Sequence, residues 1–390
     1  MNFEEIKQRD KEYIEPVFNR FQVAIESGKN ATLKDFDGKE YIDFTSGIGV
    51  NALGINDEEW KKAVIDQLGK IQHACNLYYT EPQTELAKLI CEKSGAKKVC
   101  YANSGAEANE CAIKAIRKYN SDKYGDGNRY EIVVLNNSFH GRSLATLTAT
   151  AQPAFHNYFT PFVEGFPSCN ANDFDDFLNA VTEKTGGVMM ELIQGESGVN
   201  VLDAEFVKKV EHYCKEHDIL LCIDEVQTGN GRTGKAYCFQ NYGISPDLVT
   251  TAKGLGGGLP IGACLFFDKT EFVYSYGDHG STFIGNPVIC AGGIAIMRRL
   301  SDKFLQEVNE KGDYITEEVR KFKGVQSVSG MGLMIGIKTD KDAKQIAIEC
   351  IEKGLFVLTA HEKVRLLPPL TITREELDKG LKILKEVIES

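Results

Sequence analysis

The segment Val99-Cys100-Tyr101-Ala102-Asn103-Ser104-Gly105-Ala106-Glu107-Ala108-Asn109-Glu110 combines a strand, a turn and the start of a helix. Its first residues form a short apolar run, and an alanine-rich helical pattern follows the Ser-Gly turn. Ser104 is suited to cap this helix, so the free amides of Gly105 and Ala106 would point outward and could bind an anion. Taken alone, the segment is better explained by an ordinary helix cap. In an α/β sheet, however, ligands bind at the carboxyl ends of strands, where this turn lies.

Strand-like and helical patterns alternate from this segment as far as residue 267. The strand-like runs are Val99–Tyr101, Glu131–Leu135, Gly187–Leu192, Leu220–Ile223, Asp247–Thr250 and Gly262–Phe267, and the helical patterns between them include Ala106–Tyr119, Phe174–Glu183 and Ala204–His217. Because the strands are almost continuously apolar, they predict an α/β fold with a mostly parallel sheet covered by helices on both faces.

The two ends of the chain have a different texture. Strand-like pieces occur at Asn30–Asp35 and Glu40–Phe44, and helical spacing occurs at Glu58–Leu68 and Thr84–Lys93. After Asn286-Pro287 a helical stretch precedes predicted strands at Val325–Gly330, Gly332–Ile337 and Phe356–Leu358 and an amphipathic helix at Arg374–Ile388. These patterns predict a large domain over 46–288 and a smaller α+β domain formed by 1–45 together with 289–390.

Composition excludes several classes of protein. The 390 residues include 45 Lys and Arg against 56 Asp and Glu, so the net charge is −11, with 42% hydrophobic and 26% charged residues. These values are typical of an ordered globular chain. The acidic balance argues against binding to nucleic acid or to a membrane surface. The polar start has no signal-peptide pattern and no stretch is apolar enough to span a membrane, so we expect a cytoplasmic protein.

The cysteines and histidines predict neither disulfides nor a metal site. The 11 cysteines are an odd number without a Cys-x-x-Cys pair, and several lie in apolar runs, which indicates reduced buried thiols. His212 and His217 are five residues apart in a helical pattern, a spacing that does not place two ligands on one face.

The segment Gly229-Asn230-Gly231-Arg232-Thr233-Gly234-Lys235-Ala236 nearly matches the phosphate-binding loop of nucleotide hydrolases. An NTPase is therefore the rival from another enzyme class. Two features oppose it: Ala236 lacks the hydroxyl that would hold Mg²⁺, and the residues that follow do not have a helical pattern. The preceding carboxylate strand also adjoins the loop directly, instead of following it as a separate strand.

A lysine closes another apolar strand. The segment Lys253-Gly254-Leu255-Gly256-Gly257-Gly258-Leu259-Pro260 lacks the order of a dinucleotide loop, because Pro260 interrupts any following helix. Desolvation at a strand end lowers the pKa of an amine and makes it nucleophilic. Together with the Ser104–Ala106 anion site and Asp224 at a third strand end, Lys253 completes the set that pyridoxal phosphate requires: phosphate donors, a carboxylate for the ring nitrogen and a lysine.

With these residues the chain resembles the class III, fold-type I pyridoxal-phosphate aminotransferases, and within them the acetylornithine aminotransferases. The resemblance covers essentially the whole chain and rests on the ordered motifs Ser104–Glu110, Phe139–Arg142, Gln194–Glu196, Asp224–Gly229, Ala252–Gly254, Gly280–Phe283 and Arg365–Leu370. It also accounts for the apparent phosphate loop, since 224–234 matches the cofactor-strand segment of the family.

The resemblance implies a role for each matching residue. Ser104, Gly105 and Ala106 would hold the phosphate, and Lys253 would bind the cofactor aldehyde and move the substrate proton. Phe139 would stack on the ring, Asp224 would pair with the ring nitrogen and Gln227 would approach the ring hydroxyl. Glu225 and Val226 would also belong to the cofactor-binding residues. Thr282 would reach the phosphate of a neighbouring subunit, which implies a homodimer with shared active sites. Arg142, Glu196, Ser281 and Arg365 would bind substrate.

The implied reaction transfers the δ-amino group of N2-acetylornithine to 2-oxoglutarate in arginine synthesis. Ornithine, succinylornithine, 4-aminobutyrate or an acylated lysine derivative are alternative donors. A racemase or decarboxylase on the same fold, or a protein that binds the cofactor without catalysis, is the alternative outside this class. Ile284 and Ser197 depart from the family pattern. We expect any change in the lining of the substrate pocket to arise at these two positions.

Overall fold

A computed structural model describes residues 2–390. The strands are β1 (Ile25–Lys29), β2 (Thr32–Asp35), β3 (Glu40–Asp43), β4 (Lys98–Ala102), β5 (Glu131–Leu135), β6 (Ser168–Cys169), β7 (Thr185–Met190), β8 (Ile193–Gln194), β9 (Asn200–Val201), β10 (Leu220–Asp224), β11 (Leu248–Thr251), β12 (Gly262–Phe266), β13 (Val325–Met331), β14 (Met334–Thr339), β15 (Leu355–Phe356), β16 (Leu358–Ala360) and β17 (Lys363–Leu366).

The α-helices lie between and around these strands. They are α1 (Phe3–Tyr13), α2 (Ser46–Gly49), α3 (Glu58–Leu68), α4 (Glu81–Ser94), α5 (Gly105–Tyr124), α6 (Leu144–Ala149), α7 (Phe174–Ala180), α8 (Ala204–Glu216), α9 (Phe239–Tyr242), α10 (Pro287–Arg299), α11 (Asp302–Val319), α12 (Ala343–Glu352) and α13 (Arg374–Glu389). Two short 3₁₀ turns occur at Pro153–Phe155 and Lys253–Leu255. None of the helices in 2–390 is long and apolar enough to cross a membrane.

The central sheet has seven strands in the order β4-β12-β11-β10-β7-β5-β6. The pairs formed by β11, β10, β7, β5 and β6 are parallel, whereas β12 is antiparallel to both of its neighbours. Every residue of β7, β10, β11 and β12 is buried. This pattern arises because both faces are covered, α5 packing on one of them, and it confirms the predicted mostly parallel α/β sheet.

Strands from the two ends of the chain pair with each other. β3 pairs in parallel with β15, which completes a four-stranded sheet of order β1-β2-β3-β15. A second four-stranded sheet has the order β13-β14-β17-β16, and β8 and β9 form a separate pair.

Several predicted boundaries are confirmed and others are wrong by a few residues. Glu58–Leu68 and Glu131–Leu135 have the predicted bounds, whereas the strand predicted at Gly187–Leu192 is shifted towards Thr185. The helix predicted to reach Glu183 ends at Ala180, because Val181 is extended and the Thr182 amide donates to the hydroxyl of Thr185 instead.

The predicted strand Phe356–Leu358 is wrong as a single element. Its residues belong to β15 and β16, which pair with β3 and β17 in two different sheets. The residues after the glycine-rich loop also include a short helix, α9, although their sequence has no helical pattern. A further element without a sequence prediction is α1, whose residues are all outside the core but whose capping box between Asn2 and Glu5 is a readable start signal.

Candidate active site

A cavity of about 460 Å³ opens at the carboxyl ends of the parallel strands. Its walls come from the turns after β4, β5, β10 and β11, which the sheet brings together at one edge. Of the residues predicted for the site it is lined by Ser104, Gly105, Ala106, Phe139, Arg142, Glu196, Asp224, Val226, Gln227 and Lys253. Residues from the three predicted strand ends therefore line one cavity.

The start of α5 forms one wall of this cavity. The Ser104 hydroxyl accepts a hydrogen bond from the Glu107 amide at 3.2 Å, which leaves the amides of Gly105 and Ala106 without an acceptor among the described residues. Val226 packs closely against this turn: a Cβ on Gly105 would lie 2.6 Å from Val226 Cγ1. Position 105 therefore requires glycine. The free amides of Gly105 and Ala106 offer a site for an anion.

Asp224 ends β10 inside a hydrogen-bond network and is 3% exposed. Its Oδ2 accepts from His140 Nδ1 at 2.8 Å and from Asn109 Nδ2 at 2.7 Å, and its Oδ1 accepts from the Val226 amide at 2.9 Å. Asn109 is held in turn by the Thr250 hydroxyl at 2.6 Å, and Thr250 is the partner of Asp224 in the β10–β11 register. The network fixes the orientation of the carboxylate toward the cavity.

Lys253 follows β11 at the first position of a 3₁₀ turn, with a left-handed φ of 39°. A positive φ is unfavourable for a side chain with a Cβ, and such conformations cluster at functional sites. Burial lowers the pKa of the Lys253 amine below its ordinary value, although the neighbouring Glu196 carboxylate opposes this effect. A larger fraction of the amine is therefore neutral and nucleophilic.

Phe139 and Arg142 line the cavity from the turn after β5. The Phe139 amide donates to Glu191 Oε1 at 2.8 Å, and its ring meets Phe155 edge-on with centroids 5.9 Å apart. Arg142 is exposed and its guanidinium lies 3.9 Å from the centroid of Phe155. Stacking on this ring holds a free guanidinium fork at the mouth of the cavity, a geometry suited to a carboxylate.

Glu196 and Arg365 form an ion pair at the cavity wall. Arg365 Nη1 donates to Glu196 Oε1 at 2.7 Å, and Arg365 Nη2 lies 3.3 Å from Glu196 Oε2. Arg365 is 2% exposed and does not line the cavity, whereas Glu196 does. Burial would raise the pKa of Glu196, but the Arg365 guanidinium outweighs it and holds that pKa below its usual value. The carboxylate thus covers the arginine.

Glu225 lies away from the cavity, although it was predicted among the cofactor residues. Its Oε2 accepts from the Cys238 amide at 2.6 Å and its Oε1 from the Phe239 amide at 2.7 Å, so it binds the start of α9. Burial raises the pKa of Glu225 to about 7, although both amides favour the charged form. This contact is structural.

Ser281 and Thr282 are exposed and do not line the cavity within one chain. The Ser281 hydroxyl accepts from Asn103 Nδ2 at 3.0 Å, which links it to the cavity rim. Ser197 and Ile284 do not line the cavity either: Ser197 lies near Gln194, and Ile284 packs on the core. The expectation that they alter the pocket is not met in the single chain.

Substituting Glu225 with glutamine is expected to lower stability in a pH-dependent way. Each oxygen of a protonated carboxyl group can still accept from one backbone amide, whereas glutamine turns an NH2 donor towards one of them, so about 1–3 kcal/mol should be lost when wild-type Glu225 is protonated. Because the folded pKa of about 7 exceeds the unfolded value, wild-type stability falls as pH rises from about 4.5 through 7, a loss that the variant does not carry. The difference in thermal midpoint should therefore be largest near pH 5 and shrink by pH 8.

The exposed Glu205 on α8 provides the control for this measurement. Glu205→Gln should change the midpoint little at any pH, because exposed substitutions seldom exceed about 0.5 kcal/mol. A difference between wild type and Glu225→Gln that stays constant from pH 5 to pH 8 would contradict the raised pKa.

Three residues of the site carry no clear mark in the sequence. Asn109 and Thr250 lie within regular elements, and nothing local marks them as partners of Asp224. Glu191 lies four residues before Gly195 and accepts from the Phe139 and Gly195 amides, so it joins two turns of the cavity. Burial raises the pKa of Glu191. The only sequence signal is a carboxylate directly after an apolar strand.

The cavity fits pyridoxal phosphate. Free amides at the start of α5 match its phosphate, the oriented carboxylate of Asp224 matches its ring nitrogen, and the Lys253 amine matches its aldehyde. The Phe139 side chain lines the same cavity. The fold and the site together define a pyridoxal-phosphate enzyme of fold type I.

Comparison with known proteins then identifies the family. The chain matches the class-III aminotransferase family over residues 13–388, and it belongs to this family. It is 47% identical to the acetylornithine aminotransferase of Haemophilus ducreyi over 391 residues, covering 100% of this chain and 99% of that protein. It is 44% identical to the acetylornithine aminotransferase of Caldanaerobacter subterraneus, covering 97% of this chain and 98% of the relative.

Solved structures agree with this assignment. The ornithine aminotransferase of Toxoplasma gondii superposes with a TM-score of 0.94 at 26% identity, covering 100% of this chain and 95% of that one. The N-acetylornithine aminotransferase of Stenotrophomonas maltophilia has a TM-score of 0.84 at 33% identity, with 98% of each chain covered. The protein is a pyridoxal-phosphate-dependent aminotransferase.

Proposed function

We propose that this aminotransferase moves the δ-amino group of N2-acetyl-L-ornithine to 2-oxoglutarate, giving N-acetyl-L-glutamate 5-semialdehyde and L-glutamate, as a step of arginine synthesis. The observation that carries the proposal is the Glu196–Arg365 pair beside Lys253, which lets one cavity take two differently charged substrates. Relatives of 39–47% identity that bear the name acetylornithine aminotransferase support the choice of donor.

The residues of the cavity divide the work of this reaction. Pyridoxal phosphate, when bound, supplies an aldehyde that takes up the amino group and a ring that accepts electrons from the substrate carbon. Gly105 and Ala106 would hold the phosphate through their amides, and Asp224 would keep the ring nitrogen protonated. The Lys253 amine, neutral more often because it is buried, takes the proton from the substrate carbon and returns it.

Substrate carboxylates are recognised by two arginines at different depths. Arg142, held at the mouth by Phe155, is free to bind the carboxylate of the acylated donor. Arg365 is already neutralised by Glu196 and so does not attract a second carboxylate while a terminal amine reacts. When glutamate or 2-oxoglutarate enters, Glu196 moves aside and Arg365 binds the carboxylate next to the reacting carbon.

Replacing Glu196 with alanine is expected to affect the two half-reactions unequally. Arg365 is then left unpaired beside the cavity, which favours the dicarboxylate substrate and disfavours the ω-amine. We expect the half-reaction with acetylornithine to slow by about 10–100-fold, because a buried charge is uncompensated, while the glutamate half-reaction changes little. Single-turnover absorbance of the cofactor measures each half-reaction separately.

Glu362 provides the matched control for this variant. It is half of an exposed ion pair with Lys338, just before β17, the strand that carries Arg365. Glu362→Ala should leave both half-reactions unchanged, because exposed pairs contribute little. Equal losses in both half-reactions of Glu196→Ala would show that the Glu196–Arg365 pair is only structural.

A panel of amino donors tests the substrate itself. Acetylornithine, ornithine, succinylornithine and 4-aminobutyrate would each be assayed with 2-oxoglutarate, and we expect kcat/KM for acetylornithine to exceed that for ornithine by about 10-fold or more. A higher value for one of the other three donors would reassign the substrate within the same class.

The buried state of the Gly229–Ala236 loop opposes the NTPase alternative. Only Lys235 of this loop is exposed, and the Arg232 guanidinium donates to the Leu333 and Pro368 carbonyls. Its backbone is thus packed inside the protein and has no room for a nucleotide phosphate.

We further propose a cytoplasmic homodimer with shared active sites, built from a large domain over 46–288 and a small domain of 1–45 with 289–390. Thr282 is exposed and lies outside its own cavity, as expected of a residue that serves a neighbouring subunit. Large apolar side chains are exposed beside Thr282 and in the segment before α4: Phe283 is 61% exposed and Leu77 is 88% exposed.

The β3–β15 pairing supports joining the two chain ends in one domain. Sedimentation equilibrium would give the mass in solution.

A further inference from the structure

Two thiols and an imidazole meet outside the active-site cavity. Cys100 lies on β4, Cys111 lies on α5 and His279 lies in the segment that leads to Ser281. One ligand atom from each residue lies within 4.8 Å of the other two, and both thiols are free. None of the three lines the active-site cavity. The three residues do not have the sequence spacing of a zinc motif. They come from three separate elements, which only the fold brings together.

We propose that Cys100, Cys111 and His279 form a binding site for a thiophilic metal ion, with Zn²⁺ as the physiological candidate. Sulfur and imidazole nitrogen are the ligands that Zn²⁺ prefers, and three protein ligands leave a fourth tetrahedral position for water. On binding, two S–Zn bonds and one N–Zn bond form, and the two thiol protons pass to solvent. The two thiolates balance the charge of the ion.

A second cavity gives the ion a route to the cluster. It has a volume of about 590 Å³, and Cys100 and His279 line it together with Tyr274. An entry path is one of the conditions for a metal site that loads from solution. Cys111 lies behind these residues and is buried, so it would bind the ion from the protein side.

Tyr274 orients the ligands of this cluster. Its ring stacks on His279 with centroids 5.6 Å apart and planes 12° from parallel, and its hydroxyl donates to the Cys111 carbonyl at 2.7 Å. Stacking on Tyr274 restricts the orientation of the His279 ring, and the hydroxyl contact fixes Tyr274 to the Cys111 backbone. Lys114 borders the cluster: its Nζ lies 3.1 Å from His279 Nδ1 and donates to the Asp278 carbonyl at 2.8 Å.

The proposed site would tie α5 to the segment that carries Ser281 and Thr282. Cys111 is on the helix whose first amides form the anion site, and His279 is two residues before Ser281. The metal site does not depend on the substrate of the enzyme, since none of its ligands reaches the active-site cavity.

Metal binding to the reduced holoenzyme, without substrate, tests the proposal. Zn²⁺ bound per chain would be measured by equilibrium dialysis, and Co²⁺ would be used as a spectroscopic probe because thiolate ligation gives tetrahedral cobalt its own visible bands. The variants are Cys100→Ser and His279→Gln, both at half-buried positions. Cys75→Ser and His212→Gln, at an exposed thiol and an exposed imidazole, are the matched controls.

We expect one ion per chain in the wild type and in both controls, with tetrahedral cobalt bands. Each cluster variant should weaken binding by at least about 100-fold, since it removes a direct ligand. Cofactor absorbance and the thermal midpoint report whether each variant is folded, and either folded variant is sufficient to decide. The absence of a bound ion in the wild type, or unchanged binding in a folded cluster variant, overturns the proposal.

Discussion

Replacing Lys253 with alanine is expected to abolish multiple turnover. In the proposed mechanism this side chain supplies both the amine that holds the cofactor aldehyde and the base that moves the substrate proton, and no other lysine within 2–390 lines the cavity. Loss of a positioned base alone costs up to about 10⁴-fold in rate, so we expect a fall of at least this size. Steady-state transfer from an amino donor to 2-oxoglutarate measures the loss.

Lys235→Ala is the matched control for this substitution. Lys235 is exposed on the loop that precedes α9, outside the cavity. The Lys235→Ala variant should keep wild-type turnover. After mild reduction, intact-mass analysis should show covalently attached cofactor in this control but not in Lys253→Ala. Continued multiple turnover in Lys253→Ala would refute the assignment of Lys253.

Changing Asp224 to asparagine is expected to have the second largest effect. The amide carries no charge, so it cannot keep the ring nitrogen of the cofactor protonated, and one of the donors now directed at the carboxylate loses its acceptor. Removing one preorganised electrostatic contact costs about 10²–10³-fold in kcat, and we expect a loss in this range. The single-turnover rate after mixing with donor measures it, because binding and chemistry are then separated.

Asp247 allows the same substitution to be made at the opposite edge of the sheet. It directly precedes β11, accepts from the Leu221 amide at 2.8 Å and has a pKa that burial raises. Asp247→Asn should lower the thermal midpoint without a comparable loss of rate, because it lies at the end of β11 opposite Lys253. If Asp224→Asn lowered the midpoint and left the single-turnover rate intact, Asp224 would have a structural role only.

The convergence of Gly105, Asp224 and Lys253 could be predicted from the sequence. Each follows or ends an apolar strand, and the carboxyl ends of parallel strands meet at one edge of a sheet. The prediction required only the order of strands and turns along the chain. Helix boundaries were less reliable where side-chain contacts decide them, as at Ala180, where the hydroxyl of Thr185 binds the Thr182 amide.

Other features depended on which residues become neighbours in space. Asp224 and Glu225 are adjacent carboxylates after the same strand, and nothing in their local sequence separates them. Because successive side chains of an extended segment point to opposite sides, Asp224 faces His140 and the cavity, whereas Glu225 faces the amides of α9. Asp224 therefore lines the cavity, whereas Glu225 binds the start of α9.

By itself the sequence determined the parallel sheet and the residues at its carboxyl edge, because apolar runs and turns are local properties. The tertiary structure decided the contacts between distant segments: Glu196 with Arg365, Asn109 with Asp224, and Cys100 with Cys111 and His279. These contacts join residues from separate elements, and their existence depends on strand register and helix packing. A side chain acquires its charge state and its partner only when that packing removes it from water.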